Sequence, residues 1–96
     1  MLTINEISNI VSKLGKKYGI KNAYLFGSYA KGLANEDSDI DIIIDRGELN
    51  TYDSYYDLHE ELINELGTEV DLLATDGIKP RFFELIKNDR ILLYGA

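Results

Sequence analysis

Gly27-Ser28-Tyr29-Ala30-Lys31-Gly32, then Ser38-Asp39-Ile40-Asp41-Ile42-Ile43-Ile44 six residues on, is the stretch from which both fold and chemistry are read. A glycine–serine pair is followed, after ten intervening residues, by two aspartates one residue apart that run into isoleucines. The alternation predicts a strand over residues 39–45, with Ile40, Ile42 and Ile44 on one face and Asp39, Asp41, Ile43 and Asp45 on the other. Carboxylates are costly to bury, so two at the head of an isoleucine-rich strand ask for a compensating cation. Gly27-Ser28, where a strand would turn into a short helix, suits a phosphate. A phosphate seat beside paired carboxylates points to metal-assisted phosphoryl or nucleotidyl transfer.

Side chains two residues apart on a strand point the same way, with Cα atoms about 6.5–7 Å apart. Asp39 and Asp41 can therefore converge on a pair of magnesium ions, which in two-metal sites lie about 3.5–4 Å apart. Such hard cations prefer oxygen ligands, and two carboxylates leave the coordination short. The third is Asp71 in Glu69-Val70-Asp71-Leu72-Leu73, where Val70 and Leu72 face the core and leave Asp71 on the polar side. Gly27 lets a triphosphate approach the backbone, and the Ser28 hydroxyl with nearby N–H groups can donate to its oxygens. Lys31, one turn further, reads as a surface residue of the short helix.

Outward from this stretch the periodicity alternates. Thr3 and Glu6 form a capping-box pattern, and Ile7, Ile10, Val11, Leu14 and Tyr18 follow at helical spacing, giving a helix over residues 4–18 that stops at Gly19. Gly15 weakens its last turn relative to alanine. Residues 23–26 read as a buried strand, 28–33 as a short helix and 33–37 as polar loop. A second long helix covers residues 52–66, with Tyr52, Tyr55, Tyr56, His59, Leu62, Ile63 and Leu66 as its apolar side and Gly67 as its stop. Residues 69–74 form a third strand, Pro80 opens a helix running to about Lys87, and residues 91–94 add a terminal strand. The expected architecture is α/β (α+β): a small mixed β-sheet flanked by helices.

Ninety-six residues make one small domain, residues 1–96. There is no cysteine, so thiolate metal sites and disulfides are excluded. No basic-then-apolar leader and no membrane-length apolar run is present, which makes the cytoplasm the expected location. The net charge is −7, and between Glu36 and Asp76 Arg46 is the only lysine or arginine. Such a surface repels a nucleic-acid backbone, so direct nucleic-acid binding is not expected, and it favours a basic protein partner. His59 reads as a packed helix residue, not a ligand. The tyrosines at 52, 55 and 56 read at least partly as core, with a partner interface as the other reading. Phe82 and Phe83 read as a helix docking on the sheet, and Lys13, Lys16, Lys17 and Lys21 as a solvated face.

The Gly-Ser-x-Ala-Lys-Gly and Ser-Asp-x-Asp motifs, with Asp71 beyond them, resemble the minimal nucleotidyltransferases (MNT proteins) of the polymerase-β-like nucleotidyltransferase superfamily. The likeness extends over nearly the whole chain, to the aliphatic-Tyr segment Ile91-Leu92-Leu93-Tyr94. Lys31 stands where that family usually has arginine, which keeps the charge and loses the planar fork. The resemblance implies the polymerase-β-like fold, with Asp39, Asp41 and Asp71 as catalytic residues holding two Mg2+ ions and Gly27 and Ser28 seating ATP. It further implies transfer of AMP to a hydroxyl, a tyrosine in some members, of a HEPN-domain RNase toxin, as in MntA-like antitoxins of HEPN/MNT pairs. An antitoxin that neutralises by binding alone, a nucleotidyltransferase acting on a small molecule, and homo-oligomerisation all stay open at this level.

Overall fold

Two long amphipathic helices and four short strands are laid down in the order the periodicity dictates, and the computed structural model describes residues 1–95. Helix α1 (Ile4–Tyr18) starts at Thr3, whose hydroxyl accepts from the Glu6 N–H while the Glu6 carboxylate accepts from the Thr3 N–H, and it ends at Gly19 in the left-handed conformation. Strand β1 (Asn22–Phe26) leads directly into the short helix α2 (Gly27–Lys31), which Gly32 terminates. Strand β2 (Ile40–Asp45) follows, then helix α3 (Tyr52–Leu66), capped by the Thr51 hydroxyl and stopped by Gly67. Strand β3 (Val70–Ala74), a 3-10 turn (Thr75–Gly77), helix α4 (Pro80–Ile86) and strand β4 (Ile91–Gly95) complete the chain.

The strands form one mixed sheet in the order β3-β2-β1-β4. β1 lies antiparallel to β2 and to β4, and β2 runs parallel to β3, the crossover being α3. One face carries Ala23, Leu25, Ile40, Ile42, Ile44, Val70, Leu72 and Leu93, and these pack with Ile7, Val11 and Leu14 of α1 and Leu58, Leu62 and Leu66 of α3 into the main core. The other face is partly covered by α4: Phe82 meets Phe26 edge-on, and the Arg90 guanidinium lies 4.3 Å from the Tyr24 ring centroid. Ile43, on the same face as Asp41 and Asp45, is buried as well.

Two expectations need correcting. The buried stripe of α3 is Leu58, Leu62 and Leu66, while Tyr52 is 85% and Tyr56 55% exposed. Tyrosines 52 and 56 lie one turn apart on the flank of the helix, and the more apolar leucine stripe takes the core. Only Tyr55 of the three is half-buried, donating its hydroxyl proton to the Leu72 carbonyl at 2.6 Å. The short helix also begins and ends earlier than expected, at Gly27 and Lys31, because Gly32 turns left-handed.

Gly15 has a packing reason. A Cβ there would sit 2.8 Å from Cδ2 of Tyr94, so the missing side chain lets α1 lie against β4. At the opposite edge, β3 offers unpaired carbonyls to solvent, and α3 closes them: besides Tyr55 on Leu72, a His59 ring nitrogen lies 2.7 Å from the Val70 carbonyl oxygen. Among the described residues, no helix is long and apolar enough to cross a membrane.

Candidate active site

Asp41 is the second residue of β2, and the register sets its neighbours. Its pair on the parallel strand β3 is Asp71, and its pair on the antiparallel strand β1 is Phe26, the last residue before Gly27. Adjacent strands lie about 4.8 Å apart, so Asp71, Asp41 and the β1–α2 junction form one row across three strands. Val70 and Leu72 are buried on the core side and Asp71 is exposed, as the alternation requires.

Gly27 is shaped by this row. Its φ is +69°, in the left-handed region, and a Cβ built on it would lie 2.1 Å from Oδ2 of Asp41. Only glycine lets the α2 backbone come down over the aspartate. Helix α2 also lacks the side-chain cap that threonines give α1 and α3, so its leading N–H groups have no side-chain acceptor. Ser28 is half-buried directly beside them, and Lys31 is exposed, in keeping with a surface role.

Asp39 sits just before the strand, exposed, so it does not share β2 with Asp41 as the alternation suggested. Among the described residues, no three Asp, Glu, His or Cys side chains are gathered around a common point at coordinating distance. Asp41 and Asp71 meet, and the charge of Asp39 is felt at Asp41 as well. The crowding is visible in the acidity of Asp41, which is raised from 3.8 to about 6 by partial burial, by sharing a hydrogen bond with Asp71, and by the charges of Asp71 and Asp39. An oxygen-only donor set of crowded carboxylates, with no cationic side chain among the described residues to balance them, is suited to a hard divalent cation, so these residues fit magnesium.

Asp45 shows the contrast. It lies on the same strand face, but its carboxylate accepts from the Asn22 amide at 2.8 Å and from the Thr75 hydroxyl at 2.7 Å. These bonds fasten the far ends of the strands together.

Beside Asp41 and Asp71 opens a cleft of about 370 Å3 whose other walls include Phe26, Leu73 and Phe82. Sequence reasoning missed these apolar members. Phe82 and Phe83 are consecutive on a helix and cannot both turn the same way, which was the available signal. A larger cleft of about 490 Å3 lies beyond the 3-10 turn, between Tyr55, Arg46 and Asp76, and Asp76 is the one carboxylate among the described residues of its lining.

The family profile described as "Polymerase beta, Nucleotidyltransferase" matches residues 6–96. The chain belongs to the polymerase β nucleotidyltransferase family. As a member, it is a nucleotidyltransferase with the fold expected above. The protein adenylyltransferase MntA of Thermococcus cleftensis is 37% identical to it over 83 residues, covering 82% of this chain and 84% of its own. A solved toxin–antitoxin structure with AMP-PNP superposes with a TM-score of 0.79 at 25% identity, covering 93% of this chain and 73% of that one. The same fold recurs, with a TM-score of 0.75 at 22% identity over 98% of this chain and 74% of that one, in a complex of a tri-AMPylated Shewanella oneidensis HEPN toxin with an MNT antitoxin.

Proposed function

We propose that this nucleotidyltransferase transfers AMP from ATP to a tyrosine hydroxyl of a partner HEPN-domain RNase toxin, and so acts as its antitoxin in the cytoplasm, with residues 1–96 working as one domain. The observation that carries the reading is the row Asp71–Asp41–Gly27, in which carboxylates and a side-chain-free helix start meet at a single strand end. The name of the Thermococcus relative supports adenylyl transfer, and the toxin–antitoxin neighbours support the partner.

In this reading Asp39, Asp41 and Asp71 hold two magnesium ions, which when bound neutralise the charge that develops on the phosphates. Gly27 and Ser28 seat the triphosphate through the uncapped N–H groups of α2 and the serine hydroxyl. Asp71, exposed at the sheet edge, takes the proton of the attacking hydroxyl. The oxygen bonds to the α-phosphorus and pyrophosphate departs. The acidic surface, net −7, suits a basic protein rather than free nucleic acid.

The test is incubation of the full chain with labelled ATP, magnesium and the toxin encoded beside it. Label on a toxin tyrosine, abolished by Asp41→Asn, is the expected result. If Asp39→Ala and Asp41→Ala variants neutralise the toxin fully with no label transferred, the protein acts by contact alone.

A further inference from the structure

Helix α4 covers part of the sheet face that carries Asp41, yet little holds it there. None of its described residues is fully buried, and Leu85 is 71% exposed. Two aromatic contacts fasten it. Phe82 meets Phe26 edge-on, ring centroids 6.3 Å apart. Phe83, the next residue, faces the Arg90 guanidinium, whose central carbon lies 5.1 Å from the Phe83 centroid and 4.3 Å from that of Tyr24. Arg90 is half-buried immediately before β4, and it joins a ring of the sheet to a ring of the helix. Among the described residues it has no ion pair, although the chain carries 17 aspartates and glutamates. Its charge is given to the two rings.

The other end of this connection is the transfer site. Phe26 is the register partner of Asp41 and is bonded to Gly27, which lies over that carboxylate in the left-handed conformation. Consecutive helix residues point about 100° apart, so Phe82 and Phe83 can both bear on the sheet only at one roll of α4. With Phe83 released, the helix is free to turn and Phe82 lifts from Phe26. We infer that Arg90 is a positioning residue for nucleotidyl transfer. By stacking on Tyr24 and Phe83 it fixes the roll of α4, and through Phe82 on Phe26 it sets how the Gly27 backbone lies against Asp41. The inference rests on the assignment of Asp41 and Gly27 to the transfer site, and adds a residue that acts on them through others. A planar guanidinium suits the role because both of its faces can stack, which the ammonium of a lysine does not offer. Misplacing the reacting groups slows the chemical step without loosening the hold on remote parts of the substrate, so the effect falls on kcat rather than on KM.

The experiment measures transfer of labelled AMP by the full chain to the toxin encoded beside it, at a temperature where circular dichroism shows every variant folded. Arg90→Ala and Phe82→Ala are each expected to lower kcat about tenfold, with the KM for ATP within about twofold of the parent. The double variant should be no slower than the slower single one, because both changes break the same connection. Arg90→Lys should recover only part of the rate, and it gives the same reading if Arg90→Ala does not fold. In the isotope-labelled chain, the amide resonances of Phe26 and Gly27 should move in the Arg90 variants while those of α3 stay. Losses that multiply in the double variant, a change carried by KM, full activity in Arg90→Lys, or a lower melting temperature with kcat intact would overturn the inference. If the parent itself transfers no nucleotide, the transfer reading fails, and the resonances alone decide: movement at Phe26 and Gly27 upholds the Arg90 connection, and stillness there ends it.

Discussion

At Gly27 a single methyl group would collide with the carboxylate it serves, since its place lies 2.1 Å from Asp41 Oδ2. The left-handed backbone adds about 1–2 kcal/mol of strain for any residue with a Cβ. Gly27→Ala should therefore lower stability by at least about that amount in urea melts and cut nucleotide transfer by roughly 100-fold or more, because Asp41 must swing away. Asp41 itself makes a prediction whose sign follows from its raised acidity constant. The folded chain holds that proton up to about pH 6, against 3.8 for an ordinary aspartate, so the group favours folding below about pH 4 and loses that contribution as pH rises through 6. Asp41→Asn should thus melt higher than the parent at pH 7.5 without metal, by no more than about 1 kcal/mol once solvent screening is allowed for. The two should converge near pH 4, and magnesium should narrow the gap at pH 7.5 by stabilising only the parent. Calorimetry at the two pH values, with and without magnesium, checks it. Spacing and alternation single out both aspartates of the row and the glycine in the sequence, while it is the strand order that sets Asp71 beside Asp41. The start of β2 was less legible, falling at Ile40, one residue later than the pattern suggests.

Helix α1 carries an apparent flaw that is a fitting. Replacing a helical glycine by alanine ordinarily gains about 1 kcal/mol, but at position 15 the new methyl would press on the Tyr94 ring at 2.8 Å. Gly15→Ala should lose stability instead of gaining it, by about 1 kcal/mol in denaturant melts, and Gly15→Ala with Tyr94→Leu should recover much of the loss. Helix α3 tells the same story about legibility. Tyrosines 52, 55 and 56 and His59 offer one helical stripe and Leu58, Leu62 and Leu66 another, offset by less than a turn. Helical spacing cannot choose between them, and burial of the leucines in the core does. Phe82 docks its helix on the sheet as its sequence suggests, but its partner Phe26 is distant in sequence, and only the return of α4 over the second sheet face brings them together.

Across the whole molecule, charge is the dominant unbalanced force. With a net −7 on 96 residues, self-repulsion opposes folding, and the surface pairs Lys13–Glu65 and Lys17–Glu61 joining α1 to α3 offset little of it. Raising sodium chloride from low to physiological strength should increase the melting temperature by a few degrees, and should weaken capture of a basic partner, most visibly in its association rate. The order of the strands was not readable from the sequence, because the alternation that marks a strand is silent about its neighbour. That order has a consequence in time. Asp71 rides on the outermost strand, and outermost strands are the first to peel away from a sheet in native-state fluctuations. Two side chains of one helix, Tyr55 and His59, latch the carbonyls of Leu72 and Val70 from outside. The lifetime of the complete carboxylate set is then governed by a latch about 15 residues away in sequence. Tyr55→Phe should quicken amide exchange in β3 about fivefold, as the loss of a net bond of about 1 kcal/mol requires, while β1 keeps its protection.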